Sequence, residues 1–206
     1  MVPPQMPSDP SPGPGAATAK LALRDQLLTR RNRRSLAEVG HTSRALAEVL
    51  LAVPEVRRAA TVAAYVSIGN EPGTGHLLAA LTDAGKRVIL PVVLPDLDLD
   101  WAVYRGEGTL APARLGLLEP VGERLGPDAV GTADAVLLPG LAVSSDGLRL
   151  GRGGGCYDRA LARVPVGTFT CVLLHDDEVG IDVPAEPHDR RVVAAATPSG
   201  VRILGR

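Results

Sequence analysis

The chain has 206 residues, a formal net charge of −1 and 45% hydrophobic residues, which fits one domain with a true core and excludes bulk-charge binding to nucleic acid or a membrane surface. Aromatics make up only 2%, so the core must be assembled from Ala, Val and Leu packed closely between helices and a sheet. Two cysteines, Cys156 and Cys171, exclude a disulfide framework and a zinc cluster and point to a reducing, cytoplasmic setting.

Met1 to Ala17 is rich in Pro, Gly and Ser and has almost nothing to bury, so it reads as a disordered tail. The N-terminus lacks a basic start followed by an apolar stretch, so no signal peptide is expected, and no apolar run approaches a membrane span. The fold is expected over residues 18–206 as one domain. Thr18 is placed to cap a first helix, whose apolar spacing runs from Lys20 to Leu28 and on into Arg30, Arg31, Arg33 and Arg34. A second helix is predicted from Ser43 to Ala52, stopped by Pro54.

Thr61 to Ser67 is short, apolar and β-branched, as a buried strand should be. A turn over Glu71 to Gly75 leads to a helix from His76 to Ala84, ended by Gly85. Further strands are predicted at Arg87–Leu90, Trp101–Tyr104, Ala133–Leu138, Thr168–Leu174 and Val192–Ala196, with a helix at Asp158–Val164. Buried strands alternating with helices indicate a three-layer α/β/α domain with a mostly parallel central sheet.

The densest signal lies between Leu137 and Arg159. A buried strand ends at Pro139-Gly140, and Asp146-Gly147 marks a turn. Gly151, Gly153, Gly154 and Gly155 then lead directly into a helix. In open α/β sheets ligands bind at the carboxyl ends of strands. A glycine run before a helix lets backbone N–H groups approach an anion, helped by the helix dipole. Arg149 and Arg152 flank the glycines and can pair with phosphate oxygens as forks. Asp158 offers a hard oxygen of the kind a phosphate-bridging magnesium ion takes. The Lys-Ser/Thr ending of a Walker loop is absent, and the dinucleotide fingerprint would follow the first strand instead.

The segment Arg149-Leu150-Gly151-Arg152-Gly153-Gly154-Gly155-Cys156-Tyr157-Asp158-Arg159 resembles the signature of the 5-formyltetrahydrofolate cyclo-ligase family. Leu138 to Ala142, Lys20 with Arg24, and Tyr65-Val66-Ser67 followed by Glu71 are similar to family features too. So are Leu117-Leu118-Glu119-Pro120, Val183-Pro184, His188-Asp189 and Thr197. The likeness runs in order from Lys20 to Thr197. It implies conversion of 5-formyltetrahydrofolate to 5,10-methenyltetrahydrofolate, with ATP as co-substrate released as ADP and phosphate, and Mg2+ as cofactor. The implied route passes through a phosphorylated formyl group. By the same resemblance Lys20 and Arg152 are catalytic. Lys20, Arg24, and Arg149 through Tyr157 (Leu150, Gly151, Arg152, Gly153, Gly154, Gly155 and Cys156 included) bind ATP. Val66, Glu71 and Arg152 to Cys156 bind the folate, and Asp158 and Asp189 hold the metal. Two positions depart from the family pattern: Cys156 stands where an aromatic is usual, and Val193 where a second acidic residue often follows Asp189.

The chemistry needs charge neutralisation and in-line positioning rather than a nucleophilic side chain, because the ring-closing nitrogen belongs to the substrate. A monomer working on small molecules is expected, with neither nucleic acid nor membrane as partner. A non-catalytic nucleotide or folate binder on the same fold is the alternative, supported by Cys156 and Val193. A sugar-phosphate isomerase leaves Lys20 and Arg24 without a role. Asp96, Asp98 and Asp100 lack the glycine of a calcium loop, with Trp101 in its place, and read as a solvated loop. The arginines from Arg30 to Arg34 read as a solvated helix face. His175 to Glu178 reads as a strand-end loop rather than a metal site, and Cys156 as a packing residue rather than a reactive thiol.

Overall fold

The computed structural model describes residues 15–205. Five helices are used below: α1 (Gly15–Arg31), α2 (Leu36–Ala52), α3 (Pro54–Arg58), α4 (Gly75–Asp83) and α5 (Cys156–Leu161). The main sheet has seven strands: β1 (Thr61–Ala63), β2 (Arg87–Val93), β3 (Leu99–Val103), β4 (Ala135–Pro139), β5 (Phe169–Leu173), β6 (Ala194–Thr197) and β7 (Gly200–Ile203). Their order across the sheet is β7-β6-β5-β4-β1-β2-β3. The five inner strands pair in parallel, and β3 and β7 are antiparallel edges.

Alternation along these strands builds two apolar faces. Val62, Val88, Leu90, Leu137 and Cys171 pack under α2, α3 and α4. Ala63, Ile89, Val136, Leu138 and Val172 face the other way, onto α5 and a short 3-10 turn at Pro127–Thr132. The expected three-layer α/β/α arrangement is therefore present. The core is made of small residues, with Trp101 as its largest fully buried side chain. α1 seats Leu27 on a third, smaller cluster with Leu141, Leu148 and Leu150.

Several boundaries differ from those expected. Gly15, Ala16 and Ala17 already lie in α1, so Thr18 sits inside the helix; the rest of the expected tail, residues 1–14, lies outside the described residues. α2 begins seven residues before Ser43, because Ser35 caps it. The Ser35 hydroxyl accepts from Glu38 N, and the Glu38 carboxylate accepts from Ser35 N at 2.7 Å. Pro54 ends α2 and also opens α3 from its first turn, where a missing N–H costs nothing. β1 is shorter than expected. After Ala64 N donates to Ile89 O at 3.0 Å, the chain leaves the sheet. Ser67 and Thr74 then bond each other: Thr74 Oγ1 accepts from Ser67 N at 2.9 Å, and Ser67 Oγ accepts from Thr74 N at 3.0 Å.

That departure positions the site. β1 pairs with β2 on one side and with β4 on the other, so the winding of the sheet reverses between β1 and β4. A crevice opens at the carboxyl ends of strands flanking such a switch point.

Candidate active site

A cavity of about 790 Å³ occupies that crevice, within the range of small-molecule sites. Its lining includes Lys20 and Arg24 from α1, Tyr65, Val66 and Glu71 from the segment after β1, and Pro139 and Gly140 at the end of β4. Arg149 through Asp158 and the stretch containing Asp189 complete it. Every residue singled out from the sequence as a site residue lines this one cavity.

The glycine loop leaves a two-stranded ribbon, Ala142–Val143 with Arg149–Leu150, and enters α5. Gly155 caps α5 in the left-handed region at φ 66°, a conformation that costs a side-chain-bearing residue energy. Gly140 is required by space instead: a Cβ there would lie 2.6 Å from Val172 Cγ2.

The charged residues fall into three groups. Lys20, 2% exposed, donates through Nζ to Glu186 Oε2 and to both oxygens of Asp189, each at 2.7 Å. Arg24 Nε donates to the carbonyl of Gly151 at 2.9 Å, which ties α1 to the start of the loop. Arg152 remains half exposed and donates to Glu71 Oε1 at 3.1 Å, while Glu71 Oε2 accepts from Ile68 N at 3.0 Å.

Arg149 is held more tightly than Arg152. It is buried, stacks over Tyr157 at 5.8 Å and donates through Nη2 to both oxygens of Asp158 at 3.2–3.3 Å. Its second nitrogen donates to Pro139 O at 3.3 Å. The guanidinium thus sits behind Asp158 and orients it, and Arg152 is the freer fork of the two.

A divalent cation requires hard oxygens at one corner. Asp158 Oδ1 also accepts from Arg190 N at 3.2 Å, next to Asp189, so both carboxylates border the same part of the cavity. Glu186, His188 and Asp189 bring ligand atoms within 4.8 Å of one another. This donor set suits Mg2+, which takes one or two carboxylates and completes its shell with water and phosphate oxygens.

Four features had no site role assigned from the sequence. Glu186 and His188 line the cavity beside Asp189. Tyr65 also lines it, with its Oη buried and unpartnered among the described residues. Burial pushes the phenols of Tyr65 and Tyr157 far above their usual range, so both stay protonated. The fourth is a buried ion pair. Arg31 is not on a solvated face: it is 1% exposed and paired with Glu178 at 2.7 Å. Its neighbour Arg34 pairs with Asp177 at the surface. The Asp96–Asp100 segment is only partly a solvated loop. Asp98 pairs with Arg163 at 2.6 Å, and Asp100 is a buried residue of β3 that accepts from Gly126 N at 2.8 Å. Cys156 packs against the second core face, and burial raises its thiol above the usual range, as suits a packing residue.

A sequence profile of the 5-formyltetrahydrofolate cyclo-ligase family matches residues 16–198. The chain belongs to the 5-formyltetrahydrofolate cyclo-ligase family. It is 44% identical over 143 residues to a 5-formyltetrahydrofolate cyclo-ligase of Mycolicibacterium smegmatis, covering 67% of this chain and 73% of that protein. The corresponding Escherichia coli K12 cyclo-ligase is 34% identical over 160 residues, 74% of this chain and 85% of its own. Among solved structures, 5,10-methenyltetrahydrofolate synthetase of Aquifex aeolicus superposes with a TM-score of 0.78 at 29% identity, over 91% of this chain and 93% of that one. The family match spans the cavity residues from Lys20 to Asp189. Among the described residues no helix is long and apolar enough to cross a membrane.

Proposed function

We propose that this cyclo-ligase family member converts 5-formyltetrahydrofolate to 5,10-methenyltetrahydrofolate at the expense of ATP. The observation that carries the reading is the convergence of Lys20, Arg24, Arg152, Glu71, the glycine loop, Asp158 and Asp189 on a single cavity. Its lining combines a cationic, glycine-rich set, as a triphosphate requires, with an apolar set, Val66, Ile68, Pro91, Leu115, Leu117 and Leu118, as a pterin and its benzoyl ring require.

The formyl oxygen takes the γ-phosphoryl group, and the bond from phosphorus to the bridging oxygen of ADP breaks. N10 of the folate then attacks the activated carbon, closing the ring, and phosphate leaves with the former formyl oxygen. Lys20 and Arg152 neutralise the charge spreading over the transferring phosphoryl oxygens, where preorganised donors act most strongly. Arg24 holds the loop around the phosphates through Gly151. Glu71 holds Arg152 at the boundary between the two substrates and, with Val66 and the Tyr65 hydroxyl, binds the folate. Asp158 and Asp189 would hold Mg2+, which when bound would supply charge neutralisation to the phosphates. The remaining residues from Arg149 to Tyr157 line the ATP side, with Gly153, Gly154, Gly155 and Cys156 reaching both ligands. The two unbridged cysteines support a cytoplasmic setting.

A heavy-oxygen label in the formyl group tests this route. The reading expects the label in the released inorganic phosphate after one turnover. Label that stays with the folate or passes to water overturns it.

A further inference from the structure

Two sequence features with no part in the chemistry above meet inside the protein. Arg31 ends α1, and Glu178 closes the short turn after β5. Arg31 donates through Nε to Glu178 Oε1 and through Nη2 to Glu178 Oε2, both at 2.7 Å. Both residues are 1% exposed. The same Nη2 donates to the carbonyl of Gly140, a residue of the cavity lining, at 2.6 Å. Glu178 Oε2 also accepts from His175 N at 2.9 Å. The His175 ring, kept neutral by burial, donates through Nε2 to Asn70 O at 3.2 Å. Asn70 Nδ2 donates back to Arg31 O at 3.2 Å. The contacts close a ring: Arg31, Glu178, His175, Asn70 and Arg31 again.

Asn70 directly precedes Glu71. The segment from Val66 to Glu71 has left the sheet, so its shape depends on what holds it from outside. The Ser67–Thr74 bonds fix its base, and the ring fixes its tip. Arg31, Glu178, His175 and Asn70 themselves do not line the cavity. Nor does net stability account for the pair, since apolar side chains of similar volume commonly serve as well as a buried ion pair. What a bidentate pair supplies is direction, because the guanidinium fork accepts a carboxylate in one geometry. Lys20, Arg24, Leu27 and Arg31 also recur at helical spacing on the inward stripe of α1. One helix face therefore lines the cavity through Lys20 and Arg24 and, through Arg31, holds Gly140 and Asn70 behind it.

We propose that Arg31, paired with Glu178, is a positioning residue for the folate half of the site: it fixes, through His175 and Asn70, the segment that presents Val66 and Glu71. The proposal rests on the assignment of that half to folate.

Two variants test it, Arg31→Met/Glu178→Met, which removes both charges together, and Asn70→Ala, which cuts the bond from the loop to Arg31. Binding of 5-formyltetrahydrofolate and of ATP is measured by calorimetry, and KM for each beside kcat. The expected result is a loss of about three- to tenfold in folate affinity and a matching rise in its KM, the range of one directing hydrogen bond. ATP affinity, kcat and the melting temperature of Asn70→Ala should stay near those of the parent. Unchanged folate affinity in Asn70→Ala, or equal weakening of both ligands, overturns the proposal. If the double variant does not fold, Asn70→Ala decides alone. If the parent binds folate but makes no methenyl product, the reaction assignment fails while the binding comparison still tests the positioning role.

Discussion

Lys20 and Asp189 lie 169 positions apart in the chain, yet Lys20 Nζ sits 2.7 Å from both oxygens of the Asp189 carboxylate. Both side chains are nearly sealed from solvent. The contact joins α1 to the last loop before β6 and holds the Asp189 carboxylate in the wall of the cavity. Lys20→Met should therefore act twice. It removes a phosphate partner, lowering kcat/KM by about 10²–10³-fold. It also strands Asp189 without its cation, destabilising the fold by about 3 kcal/mol or more. Kinetics and thermal melting on one preparation separate the two effects.

Arg152 should behave differently, because its side chain is half exposed and its one ion pair is with Glu71. The pair is screened on the arginine side, and buried Glu71 keeps its bond from Ile68 N, so losing the pair costs about 1 kcal/mol. Arg152→Ala is expected to lose about 10²–10³-fold in kcat with little change in melting temperature. A melting shift as large as that of Lys20→Met would assign Arg152 to the framework instead.

Asp158 accepts from Arg149 and from the backbone of Arg190. Asp158→Asn keeps the shape and removes the charge. The Mg2+ concentration needed for half-maximal turnover should rise about 10–100-fold, the range for losing an anionic contact near a metal. An unchanged Mg2+ dependence would remove Asp158 from the metal site.

Asp146 gives a pH prediction away from the cavity. The Ser144 hydroxyl donates to it first of all, and Arg191 lies at 2.7 Å, so its carboxyl is lowered to about 2. A carboxyl with a lowered folded value contributes stability above its unfolded value of about 3.9 and loses it as pH falls through the folded value. Asp146 is more than half exposed, so solvent screening reduces its contribution to about 1 kcal/mol. Asp146→Asn should melt lower than the parent at pH 7 and match it near pH 2. A constant difference across that range would assign the effect to the turn geometry.

Much of the fold was legible because its strands are continuous apolar runs bounded by Pro and Gly. The glycine loop was legible because phosphate chemistry demands backbone access, and few residues other than Gly give it. What stayed hidden depends on contacts across the chain. Ser35 and Glu38 form a capping box that local spacing does display, and that signal could have moved the start of α2. Arg31 carries no such mark: among four arginines in five positions, only the approach of Glu178 selects it for burial. The difference in burial between Arg149 and Arg152 has the same cause. Both flank the glycines in sequence, and only the fold turns Arg149 inward onto Asp158. β7 was missed because its edge position leaves Val201 and Ile203 partly exposed, which blurs the apolar signal.

The most direct test of the central claim is absorbance in the methenyl-folate band, with purified protein, 5-formyltetrahydrofolate and magnesium-ATP, and with ATP or magnesium left out in turn. The account predicts a rise that requires both. No rise, with ATP and folate shown separately to bind, would contradict it and leave a binding protein on the cyclo-ligase fold.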